Sequence, residues 1–342
     1  MTKHAYIILA HNSSLSYWRS PTAKRGRGLD ADEARDFIDH ACGCAHVRTL
    51  DSALSSGMLA SMRKPLDLLT ANRNERRSTK RARVHCVQTA LPDGALVLVD
   101  ETTLPDGTRL HIALSSPEFC FLQMARLLPW FDLIALGFEL CGDYALAPNA
   151  PRGFLPRSAP RGFLPRSPIS APEGFAAFAA SAHNFTGAKT ARRAARQILQ
   201  GSRSPRETKV CMLAHLPRLQ GGMGCKAPLL GQEIEAPDPA ARILGARTFK
   251  PDLYWPEHRV VVEYSNRAWP SAQERLNYDK LVRNAYRMLG ITAISLGKDD
   301  LPDDAGLRKR FELVNRKCGR RLQAPNNRHL ARQRELLDWM GS

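Results

Sequence analysis

Residues 249–269, FKPDLYWPEHRVVVEYSNRAW, combine an apolar hairpin pattern with two acids. Three consecutive valines follow a Pro-Glu-His turn, which is typical of a short β-branched strand after a tight connection. Residues 250–254 and 259–264 are therefore predicted to pair as antiparallel strands. That pairing places Asp252 on one strand and Glu263 on its neighbour.

Two opposed carboxylates are the first indication of chemistry. Opposed side chains of an antiparallel pair lie about 4.5–5.5 Å apart at Cβ, close enough for two carboxylates to hold one divalent ion. Glu263 is the more unusual acid, since it lies in an apolar strand where an unpaired charge is costly. Two interpretations stay open for Glu263: a metal ligand or base, or an edge-strand acid that pairs with one of the many arginines.

The length and net charge of the chain limit the possible domain organisation and partners. A chain of 342 residues is long enough for two domains, and 50 Lys and Arg against 33 Asp and Glu give a net charge of +17. A charge of this sign favours nucleic acid as the partner, although cationic surfaces also occur without that role. The first apolar run is too short for a signal peptide or a membrane span, and the eight cysteines lack the spacing of a disulfide framework. The sequence thus predicts a cytoplasmic protein with reduced thiols and no membrane association.

Four potential zinc ligands alternate along the chain as His40, Cys42, Cys44 and His46. In an extended chain this spacing spreads the ligands along one face at about 3.3 Å per residue, whereas zinc sites usually join ligand pairs from separate turns. A helix-to-strand junction with small buried thiols is therefore expected rather than a zinc site.

The first part of the chain is predicted to be a separate mixed α+β domain. Strand patterns occur at residues 84–88, 95–99 and 109–114, and Ser116 with Pro117 opens a helix. The nine residues APRGFLPRS at 150–158 recur unchanged at 159–167, and their Pro and Gly content predicts a loop or linker without regular structure. The predicted domains are an α+β domain at 1–148, a linker at 149–186, a second domain at 187–320 and a basic C-terminal helix or tail at 321–342.

The second domain has a clear element order. Ser204, Pro205 and Glu207 form the pattern of a capping box that starts a helix to about residue 215, and strands follow at 229–235, 250–254 and 259–264. Ser271 with Glu274 starts another helix that stops at Gly290, before a strand at 291–296 and a helix at 304–316. The predicted order is αβββαβα.

That order, with an acid in the first helix and two acids on central strands, resembles the PD-(D/E)XK nuclease superfamily, and within it the Vsr-like endonuclease domains. The resemblance covers about residues 202–314 and implies a restriction-endonuclease-like α/β (α+β) core. It implies that Asp252 is the main ligand of Mg²⁺ or Mn²⁺, that Glu263 is the second acid, and that Glu207 is an outer ligand or orients water. Glu207 has a structural alternative as a helix cap.

Two positions depart from the family pattern. The chain has Ser265 and Pro270 where related domains usually carry a further acid and a histidine. Lys280, on the following helix, is either a migrated catalytic cation or a surface lysine. The resemblance therefore implies either a weakened Mg²⁺-dependent endonuclease or a DNA-binding or regulatory protein that retains the fold.

The remaining expectations concern DNA and biological context. Arg192, Arg193 and Arg196 on a short Ala-rich helix, and Arg283, are candidate phosphate contacts, with a solvated surface as the alternative. The basic run at residues 73–83 is open to the same two interpretations. The segments SPEFCFLQMARLL and LGFELCGDY resemble abortive-infection antitoxin-like proteins of bacteria, which implies a defence context.

Overall fold

The computed structural model describes residues 3–42, 47–55, 57–147, 162–236, 238–244, 247–265, 271–297, 300–301, 304–321 and 323–341. The chain divides into two compact units. Unit 1 comprises Met1–Leu140 and Ala145–Ile198, and unit 2 comprises Cys141–Tyr144 and Leu199–Ser342. The architecture is mixed α/β, with sheets that combine parallel and antiparallel strands.

Unit 1 is built on a six-stranded sheet of order β2-β5-β6-β1-β3-β4. Central strand β1 is parallel to β6 and antiparallel to β3. The strands of the sheet are β1 (His4–Leu9), β2 (Arg27–Gly28), β3 (Leu66–Thr70), β4 (Ala82–Cys86), β5 (Leu96–Thr103) and β6 (Arg109–Ser115). A separate pair follows, β7 (Tyr144–Leu146), whose first residue is counted in unit 2, and β8 (Phe163–Pro165). The helices are α1 (His11–Trp18), α2 (Ala31–Asp39), α3 (Val47–Leu54), α4 (Gly57–Ser61), α5 (Pro117–Met124), α6 (Trp130–Leu140), α7 (Pro172–Ser181) and α8 (Ala188–Ala195).

The predicted strands and helix start of this unit are confirmed. Strands β4, β5 and β6 overlap the three predicted segments, and the Ser116 hydroxyl accepts a hydrogen bond from the Phe119 amide at 3.2 Å to cap α5. Helix α8 also belongs to unit 1, because four alanines on one of its faces are buried. The division between the units therefore falls at Leu199, later than the predicted start of the second domain at residue 187.

The second copy of the nine-residue repeat contains regular structure. The prediction that Pro and Gly forbid it was wrong for Phe163–Pro165, which forms β8 and pairs with β7. Arg166, at the end of this copy, donates to the carbonyl oxygens of Trp18 at 3.0 Å and Glu139 at 2.5 Å. These bonds hold the end of the repeat to unit 1. The first copy and the start of the second lie outside the described residues, as do Cys44 and His46.

A buried ion pair links α1 to α6 inside unit 1. The Arg19 guanidinium meets the Glu139 carboxylate through two bonds, Nε to Oε1 at 2.7 Å and Nη2 to Oε2 at 2.6 Å. The side chains of Arg19 and Glu139 are only 6% and 1% exposed. The amide of Leu146 also donates to Glu139 Oε1 at 3.0 Å. A bidentate pair in this setting satisfies both charges. Removing either partner leaves the other charge buried without a counter-ion, which strongly destabilises the fold.

Unit 2 contains a three-stranded sheet of order β11-β12-β13, in which β11 is antiparallel and β13 parallel to β12. A separate antiparallel pair, β9 with β10, precedes it. The helices of unit 2 are α9 (Pro205–His215), α10 (Asp238–Leu244), α11 (Ala272–Met288), α12 (Asp304–Lys317) and α13 (Asn327–Gly341). Its strands are β9 (Ile234–Glu235), β10 (Thr248–Phe249), β11 (Leu253–Trp255), β12 (Val260–Ser265) and β13 (Thr292–Gly297).

Most of the predicted order of unit 2 is present, with one clear correction. The continuous strand predicted at 229–235 is wrong: Leu229 makes a single bridge to Tyr254, and only Ile234–Glu235 is a strand. Gly231 explains the break, because its φ is +65° and a Cβ at this position would lie 2.7 Å from the Gly201 carbonyl oxygen. The chain turns away from the sheet there and passes through α10, which the sequence analysis did not predict.

Helix boundaries in unit 2 follow the predicted signals. The Ser271 hydroxyl accepts from the Glu274 amide at 3.2 Å, and α11 ends before Gly290, whose φ is +68°. The C-terminal segment, predicted as a separate basic helix or tail, belongs to unit 2 as α13. It packs against α9, and Lys209 donates to the Met340 carbonyl oxygen at 2.8 Å.

Within the described residues, no helix has a stretch that is both long and apolar enough to cross a bilayer. The cysteines of the described segments, Cys42, Cys86, Cys120, Cys141, Cys211, Cys225 and Cys318, are all free thiols.

Replacing Arg19 with Met should destabilise unit 1 by about 3–5 kcal/mol, because Glu139 would stay buried without its counter-ion. The matched control is Arg27→Met, which removes an ion pair whose side chains are 60% and 40% exposed. This control should cost less than about 1 kcal/mol. Urea unfolding of both variants measures the difference, and equal losses would contradict the assigned role of the buried pair.

Candidate active site

The β11–β12 hairpin sets the position of the two acids. Leu253 pairs with Val262 in the antiparallel ladder, so the next position outward places Asp252 opposite Glu263. Asp252 precedes β11 rather than lying within it. Its Oδ2 accepts a hydrogen bond from the Tyr264 amide at 2.6 Å, which holds the carboxylate against β12. The structure therefore brings the two predicted metal ligands together across one hairpin.

Glu263 lies on β12 in a setting that disfavours its charge. The Tyr286 hydroxyl of α11 donates to Glu263 Oε1, and Tyr286 is itself 1% exposed. Burial raises the pKa of Glu263 to about 8, and the nearby charge of Asp252 raises it further, while the Tyr286 bond opposes the shift. Burial thus favours the protonated form of Glu263, and a bound cation would favour its carboxylate form.

Glu207 joins the two hairpin acids from the first turn of α9. The Ser204 hydroxyl accepts from the Glu207 amide at 3.1 Å, as the cap pattern predicts. The Glu207 carboxylate accepts from the amide and guanidinium of Arg203 rather than from the Ser204 amide, so only one half of a capping box forms. Burial raises the pKa of Glu207 to about 7, Arg203 lowers it, and Asp252 raises it. Glu207 therefore takes part in the N-terminal cap of α9 through its amide, and its carboxylate lies near the hairpin acids.

Arg203 is a site residue that the sequence analysis missed. Its guanidinium binds Glu207 Oε1 at 3.1 Å and the Lys250 carbonyl oxygen at 3.0 Å, two residues before Asp252. Burial raises the pKa of Asp252, whereas the Tyr264 amide and the charges of Arg203 and Arg206 lower it. Arg203 thus offsets part of the negative charge of the cluster. The available signal was its spacing of four residues from Glu207, which suits an ion pair.

The other predicted residues lie elsewhere. Lys280 and Arg283 are exposed on α11, whereas Arg203 forms an ion pair with the site carboxylate of Glu207. Arg192, Arg193 and Arg196 are exposed on or just after α8 in unit 1, with the Arg193 guanidinium 5.1 Å from the centre of the Trp130 ring. Ser265 is the last residue of β12, and Pro270 lies outside the described residues.

The oxygen-rich donor set fits a hard cation such as Mg²⁺ or Mn²⁺. Asp252 uses Oδ2 and Glu263 uses Oε1 in the contacts above, which leaves Oδ1 and Oε2 without a protein partner among the described residues. The described part of the chain contains no group of three His, Cys, Asp or Glu side chains placed to hold one ion. An ion held by Asp252 and Glu263 would therefore keep several waters, as Mg²⁺ usually does.

In the metal-free protein, unit 2 should lose stability as the pH rises from about 4.5 to about 8. The folded pKa of Glu263 is about 8 against an ordinary value of 4.5, so the folded state binds more protons than the unfolded state in that window. Urea unfolding in EDTA across this range tests the slope. Glu263→Gln should make the slope shallower and leave the part due to Glu207, whose folded pKa is about 7. Glu257→Gln, at an exposed residue of the hairpin turn, should leave the slope unchanged. A stability that rises through the same window would contradict the raised pKa.

Comparison with family models, with curated proteins and with solved structures gave no match to this chain.

Proposed function

We propose that unit 2 is a Mg²⁺-dependent DNA endonuclease domain, a phosphodiester hydrolase of the Vsr-like type. The observation that carries the proposal is the hairpin register that places Asp252 opposite Glu263. Glu207 lies close enough that the charge of Asp252 raises the pKa of both glutamates. The order α9, β11, β12, α11, β13 and α12 supports a restriction-endonuclease-like core. Like charges that are partly buried together are typical of a site that takes up a cation.

Each acid has a distinct role in this proposal. Asp252 and Glu263 hold the cation, and the Tyr264 amide and Tyr286 hydroxyl fix the direction of their carboxylates. Glu207 orients water beside them, and Arg203 keeps Glu207 in place. A bound Mg²⁺ would lower the pKa of a water and offset charge on the scissile phosphate. The exposed Lys280 is the further cation that the family resemblance suggests.

DNA is the proposed substrate because the chain carries a net charge of +17. Lys and Arg contacts to phosphates give sequence-independent affinity through counterion release. In unit 2, Arg206 lies with its guanidinium 6.0 Å from the centre of the Tyr264 ring, next to the hairpin acids. Arg206 and the exposed Arg283 are the proposed backbone contacts of this unit, and Arg192, Arg193 and Arg196 are those of unit 1.

The second candidate function is a DNA-binding or regulatory protein without catalysis. Ser265 favours it, because the family resemblance places a further acid at this position. The resemblance of the first part of the chain to abortive-infection antitoxin-like proteins agrees with such a role in bacterial defence. The two functions differ in what Glu263 does: it is required for cleavage in the first and dispensable for DNA affinity in the second.

A supercoiled-plasmid assay with Mg²⁺, Mn²⁺ or EDTA should show weak, metal-dependent nicking by the parent protein. Glu263→Gln should abolish it by removing a ligand charge, and the exposed control Glu257→Gln should retain it. Ser265→Asp should raise cleavage or lower the metal requirement, because it restores the further acid that the family resemblance places at this position. Equal, EDTA-insensitive traces from all four proteins would eliminate the enzyme and leave the DNA-binding function.

A further inference from the structure

A second polar cluster lies in unit 1, where β1 passes into α1. His11, the first residue of α1, has φ of +47°, a conformation that non-glycine residues rarely adopt. Its amide donates to Gln123 Oε1 at 2.9 Å, and its ring stacks on that of His85 with centroids 4.0 Å apart. Strained backbone of this kind persists where the surroundings over-determine it, and often at functional sites.

Asp67 anchors the cluster from β3. It is 3% exposed, and its Oδ1 binds His85 Nε2 at 2.8 Å, with an Arg83 nitrogen at 3.5 Å. The Asp67 amide donates to the Ser13 hydroxyl at 2.7 Å, which joins β3 to α1. The carboxylate therefore fixes the orientation of the His85 ring, and through ring stacking that of His11.

The two histidines line a cavity of about 250 Å³ within unit 1. Arg76, Arg126 and Gln123 line it as well, together with Thr89, and its described lining contains no carboxylate. Arg76 comes from the basic run at residues 73–83, which the candidate nuclease site does not use. The charge of this cavity is therefore positive, with both guanidinium groups on exposed residues.

Two polar atoms of the cavity have no partner in the described structure, Gln123 Nε2 and His11 Nδ1. Gln123 is 6% exposed, and its Oε1 is occupied by the His11 amide, which fixes the direction of the amide NH₂. A buried donor left without an acceptor costs about 1–3 kcal/mol. Burial lowers the pKa of His11 to about 4, and His85 lowers it further. The charge of Asp67 opposes this shift, while Arg126 and Arg83 add to it. An anionic acceptor would give Gln123 Nε2 a partner and would offset the positive charges that lower the pKa of His11.

We propose that this cavity is a binding site for a phosphoryl group. Gln123 Nε2 donates to one phosphate oxygen from inside, and Arg76 and Arg126 bind the others from the rim. Arginine forks match the tetrahedral oxygens of a phosphate dianion, and charge-assisted bonds of this kind are the strong ones. The volume admits a phosphoryl group and a few adjoining atoms, so the ligand is either free phosphate or the phosphate end of a small monoester, of which the rest lies outside.

Calorimetric titration of the full chain with inorganic phosphate and with a nucleoside 5′-monophosphate tests the site, each at constant ionic strength. The parent should bind at least one of them. Gln123→Glu keeps the acceptor for the His11 amide but replaces the buried donor with a negative charge, and Arg126→Gln removes a rim charge. Both variants should weaken binding at least tenfold. Arg35→Gln removes another exposed arginine, on α2, and should leave binding unchanged.

Tighter binding of the monophosphate would identify an ester as the ligand, and equal binding would identify free phosphate. The unphosphorylated nucleoside and acetate serve as negative titrants. Three results would overturn the proposal: no binding by the parent, equal affinity for acetate, or the same affinity in Gln123→Glu and Arg126→Gln as in Arg35→Gln. Thermal unfolding of each variant without ligand verifies that it is folded before the comparison is made.

Discussion

The antiparallel register of β11 with β12 is the constraint on which the candidate active site depends. Because Leu253 pairs with Val262, Asp252 must lie opposite Glu263, and a slip by one residue would turn one acid to the other face of the sheet. The three valines of β12 are completely buried, and their burial stabilises this register. The fold thus holds two adjoining carboxylates. Burial is the main cause of their raised pKa values, and the charge of Asp252 raises that of Glu263 further.

Contacts around the site reduce the electrostatic cost of burying these carboxylates close together, but they do not remove it. The Tyr264 amide, the Tyr286 hydroxyl and the Arg203 guanidinium each bind one site carboxylate. Each of these donors also fixes a direction, so the remaining oxygens of Asp252 and Glu263 stay available to a ligand. A buried acid with a purely structural role would be stabilised more by a bidentate ion pair, such as the one that Glu139 forms with Arg19 in unit 1. This contrast within one chain favours a functional role for the hairpin acids.

Local signals in the sequence predicted the elements that local chemistry determines. The caps at Ser116, Ser204 and Ser271 fixed three helix starts, and the valine run fixed the central strand of unit 2. The features that the sequence did not predict correctly depend on tertiary contacts. The strand predicted at 229–235 breaks because Gly231 approaches the backbone of Gly201, and α8 joins unit 1 through buried alanines. Tyr286 and the cluster around Asp67 come from residues far apart in the chain, so no spacing could reveal them.

The central claim is that the opposed carboxylates form a cation site, and Mn²⁺ binding to the metal-free full chain tests it most directly. Isothermal titration should show one Mn²⁺ bound by the parent and by Glu257→Gln. Binding should be lost, or weakened at least tenfold, in both Asp252→Asn and Glu263→Gln, since each removes a charged ligand from the pair. Equal Mn²⁺ affinity in all four proteins, or none in the parent, would contradict the account.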